Sequence, residues 1–357
     1  MKKSLFKRAA AALLSVSMLS VFSACGDKAA PGPSSAGTTG GTAGAGAGEL
    51  KKLVIAEPVH MIGYLPLYIA QSEGYFAEEG LDIEVVQASG GAHVTAVISG
   101  DAWGNIGGPE SNAYADAGGN SPEPLVSFCN CVNRANVYLS AVAGTSPSGT
   151  SDAELSAFLK GKRIIAGRFG GTPNLLVRYL LISLGLDPDK DVTMVEPSDT
   201  STILALVKQG QADIANPTEP MITQGISDGT WDEPFYKFHD LGDFAYSVLS
   251  TRKSTIEKDP ETVQAFTNAI VKALKAVAED PEFAFQCAKK EFPTMSDEDL
   301  KVSLDRAYED KYWSPDGFIT PEALDRDMDV IIKAGVFSGT YTYDDMIDMT
   351  FVEKANG

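Results

Sequence analysis

The chain has 357 residues, with 29 basic and 48 acidic side chains and a formal charge of −19. That surplus of acid repels nucleic acid and anionic lipid headgroups. A composition of 44% apolar and 22% charged residues is that of an ordinary globular chain, long enough for one large or two smaller domains, and it excludes collagen, coiled coil, disulfide mini-protein and multi-span membrane protein. The first bases, Lys2, Lys3, Lys7 and Arg8, precede an apolar run from Ala9 to Phe22. The run is too short to be a stable bilayer span and is closed by small residues, so residues 1–24 read as a secretory signal. Residues 26–48, GDKAAPGPSSAGTTGGTAGAGAG, contain no large apolar side chain. Such a segment cannot offset its chain entropy by burial and reads as a flexible tether.

Phe22-Ser23-Ala24-Cys25 resembles a bacterial lipobox, with Phe where Leu is usual. The resemblance implies a lipid on Cys25 and a mature chain beginning there; the alternative is an ordinary signal peptide followed by an incidental cysteine. Cys129, Cys131 and Cys287 remain. The first two share one face of an apolar strand, where a mutual disulfide would be strained. Either could pair with Cys287, or all three could be buried free thiols. His60, His93 and His239 are scattered without metal-ligand spacing, so no metal or other cofactor is expected.

From Lys51 onward strands and helices alternate. Strands read at Leu53–Pro58, Leu81–Gln87, Trp103–Gly108, Leu125–Val132 and Val137–Ala143. Helices lie between them at Leu65–Gly80, interrupted at Gly74, then at His93–Gly100 and at Pro109–Gly118, where Pro109 suits a first turn. After Lys162 the pattern restarts. Strands read at Arg163–Gly167, Asp191–Pro197, Ala212–Pro217 and Phe244–Arg252, with helices at Pro173–Gly185, Ser198–Gly210 and Glu219–Gly229. The rest is helical: 260–280, 281–292, 297–313 and 321–335. This alternation predicts an α/β fold of parallel or mixed sheets flanked by helices, in two units. A weak internal repeat supports the restart: AVISGDAWGNIGGPE (Ala96–Glu110) parallels ALVKQGQADIANPTEP (Ala205–Pro220). Gly100 matches Gly210, and Glu110 and Glu219 fall one residue out of step.

Three segments carry a family likeness. Ala70 to Leu81 reads A-x-x-x-G-Y-F-x-x-E-G-L, within GYLPLYIAQSEGYFAEEGLDIEVV. With Gly161–Val195 and ALVKQGQADIANPTEPMI, it resembles the type II periplasmic solute-binding proteins of ABC importers. The branch is the one serving nitrate, alkylsulfonates, taurine and thiamine-pyrimidine precursors. The resemblance implies a two-lobed fold, each lobe a mixed sheet flanked by helices, with a small-molecule ligand between them. Lobe one would be 51–140 plus 245–357, lobe two 141–244, and residues 25–50 the lipidated cysteine and tether. It implies a binding protein rather than an enzyme, anchored outside the cell membrane and delivering its solute to an importer permease. A pyrimidine-synthesising enzyme branch shares the fold, but its cysteine-rich iron motif is absent here. A receptor sensor domain would need a fused signalling segment, and none is read.

In open α/β sheets ligands bind at the carboxyl ends of strands, against helix N-termini. Several glycine-rich strand-to-helix turns fall there. They bring forward His60, Ile62 and Tyr64; Gly91 and His93; Glu110 behind Gly107-Gly108; and Phe169, Gly170, Gly171 and Thr172. Thr200 and Glu219 close junctions in the second unit, and Asn130 with Asn136 lie near the first crossing between units. Each has a plain alternative as a turn, a cap or a dipole partner. Arg168 favours an anion at one of these turns, but Glu110 and Glu219 at the cleft edge would repel it. The expected ligand is therefore a nitrogen-rich heteroaromatic such as a thiamine-pyrimidine precursor, stacked on Tyr64 or Phe169, with sulfonate-type anions second.

Overall fold

In the computed structural model, which describes residues 49–357, the elements run β1 (Lys51–Glu57), α1 (Leu65–Ser72), α2 (Tyr75–Glu78), β2 (Leu81–Gln87), α3 (Ala92–Ser99), β3 (Gly104–Gly107), α4 (Pro109–Ala117), β4 (Leu125–Val132) and β5 (Tyr138–Ala141). Then come α5 (Asp152–Leu159), β6 (Arg163–Ile165), α6 (Thr172–Ser183), β7 (Thr193–Val195), α7 (Ile203–Lys208), β8 (Ile214–Ala215), α8 (Met221–Ser227), β9 (Tyr236–Lys237) and β10 (Ser247–Arg252). The helical tail is α9 (Lys253–Lys258), α10 (Pro260–Glu279), α11 (Pro281–Glu291), α12 (Asp297–Glu309), α13 (Pro321–Lys333), α14 (Tyr343–Met346) and α15 (Thr350–Asn356). The expected signal, the expected lipid on Cys25 and nearly all of the expected tether lie outside the described residues.

The strands form two five-stranded sheets, β2-β1-β3-β10-β4 and β7-β6-β8-β5-β9. In each, three parallel strands are joined by an antiparallel strand that arrives from the other half of the chain: β10 beside β3 in the first, β5 beside β8 in the second. The chain crosses between sheets after Val132 and returns before Ser247. The internal repeat corresponds to α3–β3–α4 and α7–β8–α8. Gly100 and Gly210 both hold a left-handed backbone, at φ 89° and 72°, the conformation that ends a helix at least cost in glycine.

Leu125–Val132 is buried throughout, which explains its unbroken apolar reading, whereas β2 faces solvent on one side and alternates. The main core spans both sheets and the tail helices. Each sheet also has a smaller apolar cluster, one around Ala56, Val94 and Val97 and one around Ile165, Ile203 and Trp231. Trp103 packs against Phe128 and Phe266 as a core residue. Cys129, Cys131 and Cys287 are buried free thiols, so the pairing with Cys287 left open by the sequence is not made. Among the described residues no helix is long and apolar enough to cross a membrane, and no cluster of three metal-ligating side chains occurs.

Candidate functional site

The carboxyl ends of the parallel strands of both sheets meet across a cleft that encloses about 110 Å³. From the first sheet come Met61 and Tyr64 after β1, Gly90 and His93 at α3, and Gly107, Gly108 and Ser111 around the start of α4. The second sheet contributes Arg168, Gly171 and Thr172 before and at α6, Ser198 and Thr200 after β7, and Asn216 to Thr218 after β8. Val137, Tyr246 and Ser247 line it from the two crossings. The two walls are in contact. A Cβ built on Gly90 would lie 3.8 Å from the Ser198 carbonyl oxygen, and one on Gly91 3.5 Å from the Arg168 guanidinium carbon.

Among the described residues no carboxylate lines this space, and Arg168 is its one fixed cation. The Arg168 guanidinium makes no ion pair among the described residues; its hydrogen bond is a long one, 3.4 Å, donated to the Phe169 carbonyl. Burial pulls its pKa down, and the charge of Glu110 opposes that pull. His93 is buried with Nδ1 lacking a hydrogen-bond partner. Burial and the neighbouring Arg168 charge push its pKa down to about 4, so the imidazole is neutral near pH 7. Gly107 is glycine for a packing reason: a Cβ there would stand 2.9 Å from His93 Nε2.

The helix N-termini at the cleft differ in what they offer. The first amides of α3 are used by the carbonyls of Ala88, Ser89 and Gly91. That of Glu110 in α4 faces carboxyl groups on Glu110 and Asp327. α6 opens at Thr172 with no side-chain cap on Gly171, and its twelve residues bring a full dipole to the cleft beside Arg168.

Of the residues singled out in the sequence, Tyr64, His93, Gly171, Thr172 and Thr200 line the cleft. Gly91 caps α3 at its edge, and Gly170 sits one residue behind in a left-handed turn. The others turn away. His60 stacks on Tyr68 and Phe292 and binds Glu57 and Glu291. Burial lowers its basicity, but the two carboxylates more than compensate and raise its pKa. Ile62 is core, its amide donating to the Glu219 carbonyl. Asn130 donates to Asn133 and to the Phe318 carbonyl. Phe169 points to solvent with Arg178 over its ring and is not part of the cleft lining.

Glu219 does not face the cleft either. It is fully buried and accepts from Arg306 Nε at 2.8 Å, from Thr223 at 2.9 Å and from Ser303 at 3.1 Å. Burial pushes its pKa up, and Arg306 is the main force against that. Glu110 is also fully buried, one layer behind the wall; its Oε1 accepts the Thr172 hydroxyl. The expectation of two carboxylates facing the ligand is therefore corrected. Sequence reading passed over Asn216, Thr218, Tyr246 and Ser247. The first two were signalled by the repeat, since they follow β8 as Gly108 follows β3, on the way to the next helix.

The family described as NMT1/THI5 like matches residues 62–284. The chain is 26% identical over 309 residues to the putative binding protein YtlA of Bacillus subtilis (strain 168), covering 85% of this chain and 90% of that one. It is 26% identical over 222 residues to the nitrate/nitrite binding protein NrtA of Synechocystis, covering 58% of this chain and 49% of NrtA. The solved structure of NrtA from Synechocystis PCC 6803 superposes with a TM-score of 0.71 at 18% identity, covering 86% of this chain and 88% of that one. The alkanesulfonate-binding protein SsuA of Xanthomonas axonopodis pv. citri, bound to MOPS, gives 0.68 at 15% identity, covering 85% and 100%. The fold is that of periplasmic binding proteins, two mixed sheets flanked by helices.

Proposed function

We infer the function from one premise: the chain belongs to the NMT1/THI5-like family. It is a substrate-binding protein of the ABC-importer kind, in the branch of nitrate and sulfonate binders, and an extracytoplasmic protein that works with a permease. The solute we assign to it is a small organic anion with a sulfonate-like head. The observation that supports this most is Arg168 beside the uncapped start of α6, with no ion pair and no carboxylate lining its cleft among the described residues. A guanidinium and a helix N-terminus together suit an oxyanion. Neutral His93 and the hydroxyls of Thr200 and Ser247 supply hydrogen bonds around it. Met61, Val137, Ile203, Pro217 and Met221 form an apolar wall that suits an organic body better than bare nitrate.

The heteroaromatic ligand favoured by the sequence rested chiefly on Glu110 and Glu219 reaching the ligand; with both turned away that ground is lost, and of its stacking partners only Tyr64 lines the cleft. Lobes 51–140 with 245–357 and 141–244 are the units that part to admit the solute. Cys25 is the lipid anchor, because a secretory signal runs into a lipobox and then a glycine-rich tether; the mass of the mature N-terminal peptide tests this. The ligand class is tested by thermal unfolding of the purified chain with ethanesulfonate, taurine, nitrate and an aminopyrimidine. A bound solute at 100 times its Kd adds about 2.7 kcal/mol of stability. Ethanesulfonate or taurine should raise the midpoint and the aminopyrimidine should not; stabilisation by the aminopyrimidine alone would overturn the assignment.

A further inference from the structure

Behind the cleft wall lies an arrangement that anion binding does not require. Asp327, on the tail helix α13, is fully buried, and neither of its carboxylate oxygens has a hydrogen-bond partner among the described residues. Helix α13 packs on α4 and sets this carboxyl against that of Glu110, whose Oε2 is likewise buried without a partner among the described residues. Helix α13 also packs on α6 of the second sheet, whose Thr172 hydroxyl donates to Glu110 Oε1. Gly108 makes room for this: a Cβ there would stand 1.9 Å from Glu110 Oε2. We propose that Glu110 and Asp327 share one proton, and that the pair, by accepting the Thr172 hydroxyl, is a latch that holds the two walls of the cleft together, with Asp327 as a positioning residue for the closed state.

Two carboxylates set against each other in a dry site cannot both be ionised; one proton between them turns repulsion into a hydrogen bond. No salt bridge neutralises either among the described residues. Arg168 is the cation that faces Glu110, through space rather than by contact. The other titratable groups facing the pair are the phenols of Tyr64, Tyr114, Tyr246 and Tyr341, all raised chiefly by burial and therefore neutral. Both carboxyls are themselves raised, first by burial. When the walls part, Thr172 leaves and water reaches the pair, so its proton is released above the ordinary carboxyl range of ~4. Closing then takes up a proton: it is favoured at low pH and weakened as pH rises through the closed-state pKa of the pair.

The inference rests on this cleft being the binding site but on no particular ligand, so its test uses the unliganded chain. Infrared difference spectra near pH 7 should show the stretch of a protonated carboxyl in the wild type, lost in Asp327→Asn, where the amide can donate to an ionised Glu110. Small-angle scattering should show the wild-type radius of gyration rising as pH is raised above the ordinary carboxyl range of ~4, and that of Asp327→Asn unchanged. A wild type with no protonated carboxyl, or with a radius indifferent to pH, overturns the latch. So does an Asp327→Asn variant that keeps both the band and the pH response. Failure of sulfonate binding with these signals intact would overturn the ligand assignment alone.

Discussion

His93 shows how a cleft residue reports on its surroundings. Its pKa falls from the usual 6.5 to about 4 because burial and Arg168 both disfavour the imidazolium. The unfolded chain therefore binds more protons than the folded one between those values. The stabilisation is fully present above ~6.5 and is lost as pH falls toward about 4, to an extent on the order of 3 kcal/mol at ~1.36 kcal/mol per unit. The acid pair behind it has the opposite slope, so the comparison must be made by variant. Urea unfolding of wild type and His93→Gln across this range should show the wild type losing more stability toward acid; parallel curves would contradict a desolvated neutral His93. The two glutamates teach a different lesson. Their places before helices were legible in the sequence, because the repeat aligns them, but their orientation was not. A carboxyl at a helix start can face a ligand or swing back to the body of the protein. What decides here is a partner far along the chain: Arg306 is 87 residues beyond Glu219.

At the level of elements, alternation and punctuation carried most of the fold. Leu81–Gln87 and Leu125–Val132 form strands over the ranges their apolar patterns predict. Gly74, with φ at 78°, divides the first helical stretch into α1 and α2. Strands in the second sheet are shorter than their apolar runs, because β8 pairs with its neighbours at only Ile214 and Ala215 before the chain turns into the cleft. The reading missed α5, although its signal was present: Ser151 and Glu154 form a capping box, the S-x-x-E pattern that marks a helix start. Ser151→Ala should lower the unfolding free energy by ~1 kcal/mol in a urea titration and leave ethanesulfonate affinity unchanged, since α5 contributes no residue to the cleft. An unchanged unfolding curve would show that the box contributes nothing.

Over the whole molecule, the two sheets repeat one design, and the site exists because their strand ends face one another. The sequence could give the strand-end turns, since glycines and helix starts are local. It could not say which side chains turn inward, since that depends on the tail: α12 claims Glu219 and α13 reaches Glu110, and the cleft is left to Arg168. For a chain of charge −19 to bind the proposed anion it must hold positive potential locally, and Arg168 with the start of α6 would supply it. Calorimetry of ethanesulfonate with wild type, Arg168→Gln and Glu219→Gln tests this most directly. A charged hydrogen bond of about 1.5–3 kcal/mol predicts that Arg168→Gln weakens binding by about 10- to 100-fold, while Glu219→Gln, if folded, binds as the wild type does. Equal affinity in wild type and Arg168→Gln, or binding altered only in Glu219→Gln, would contradict the account.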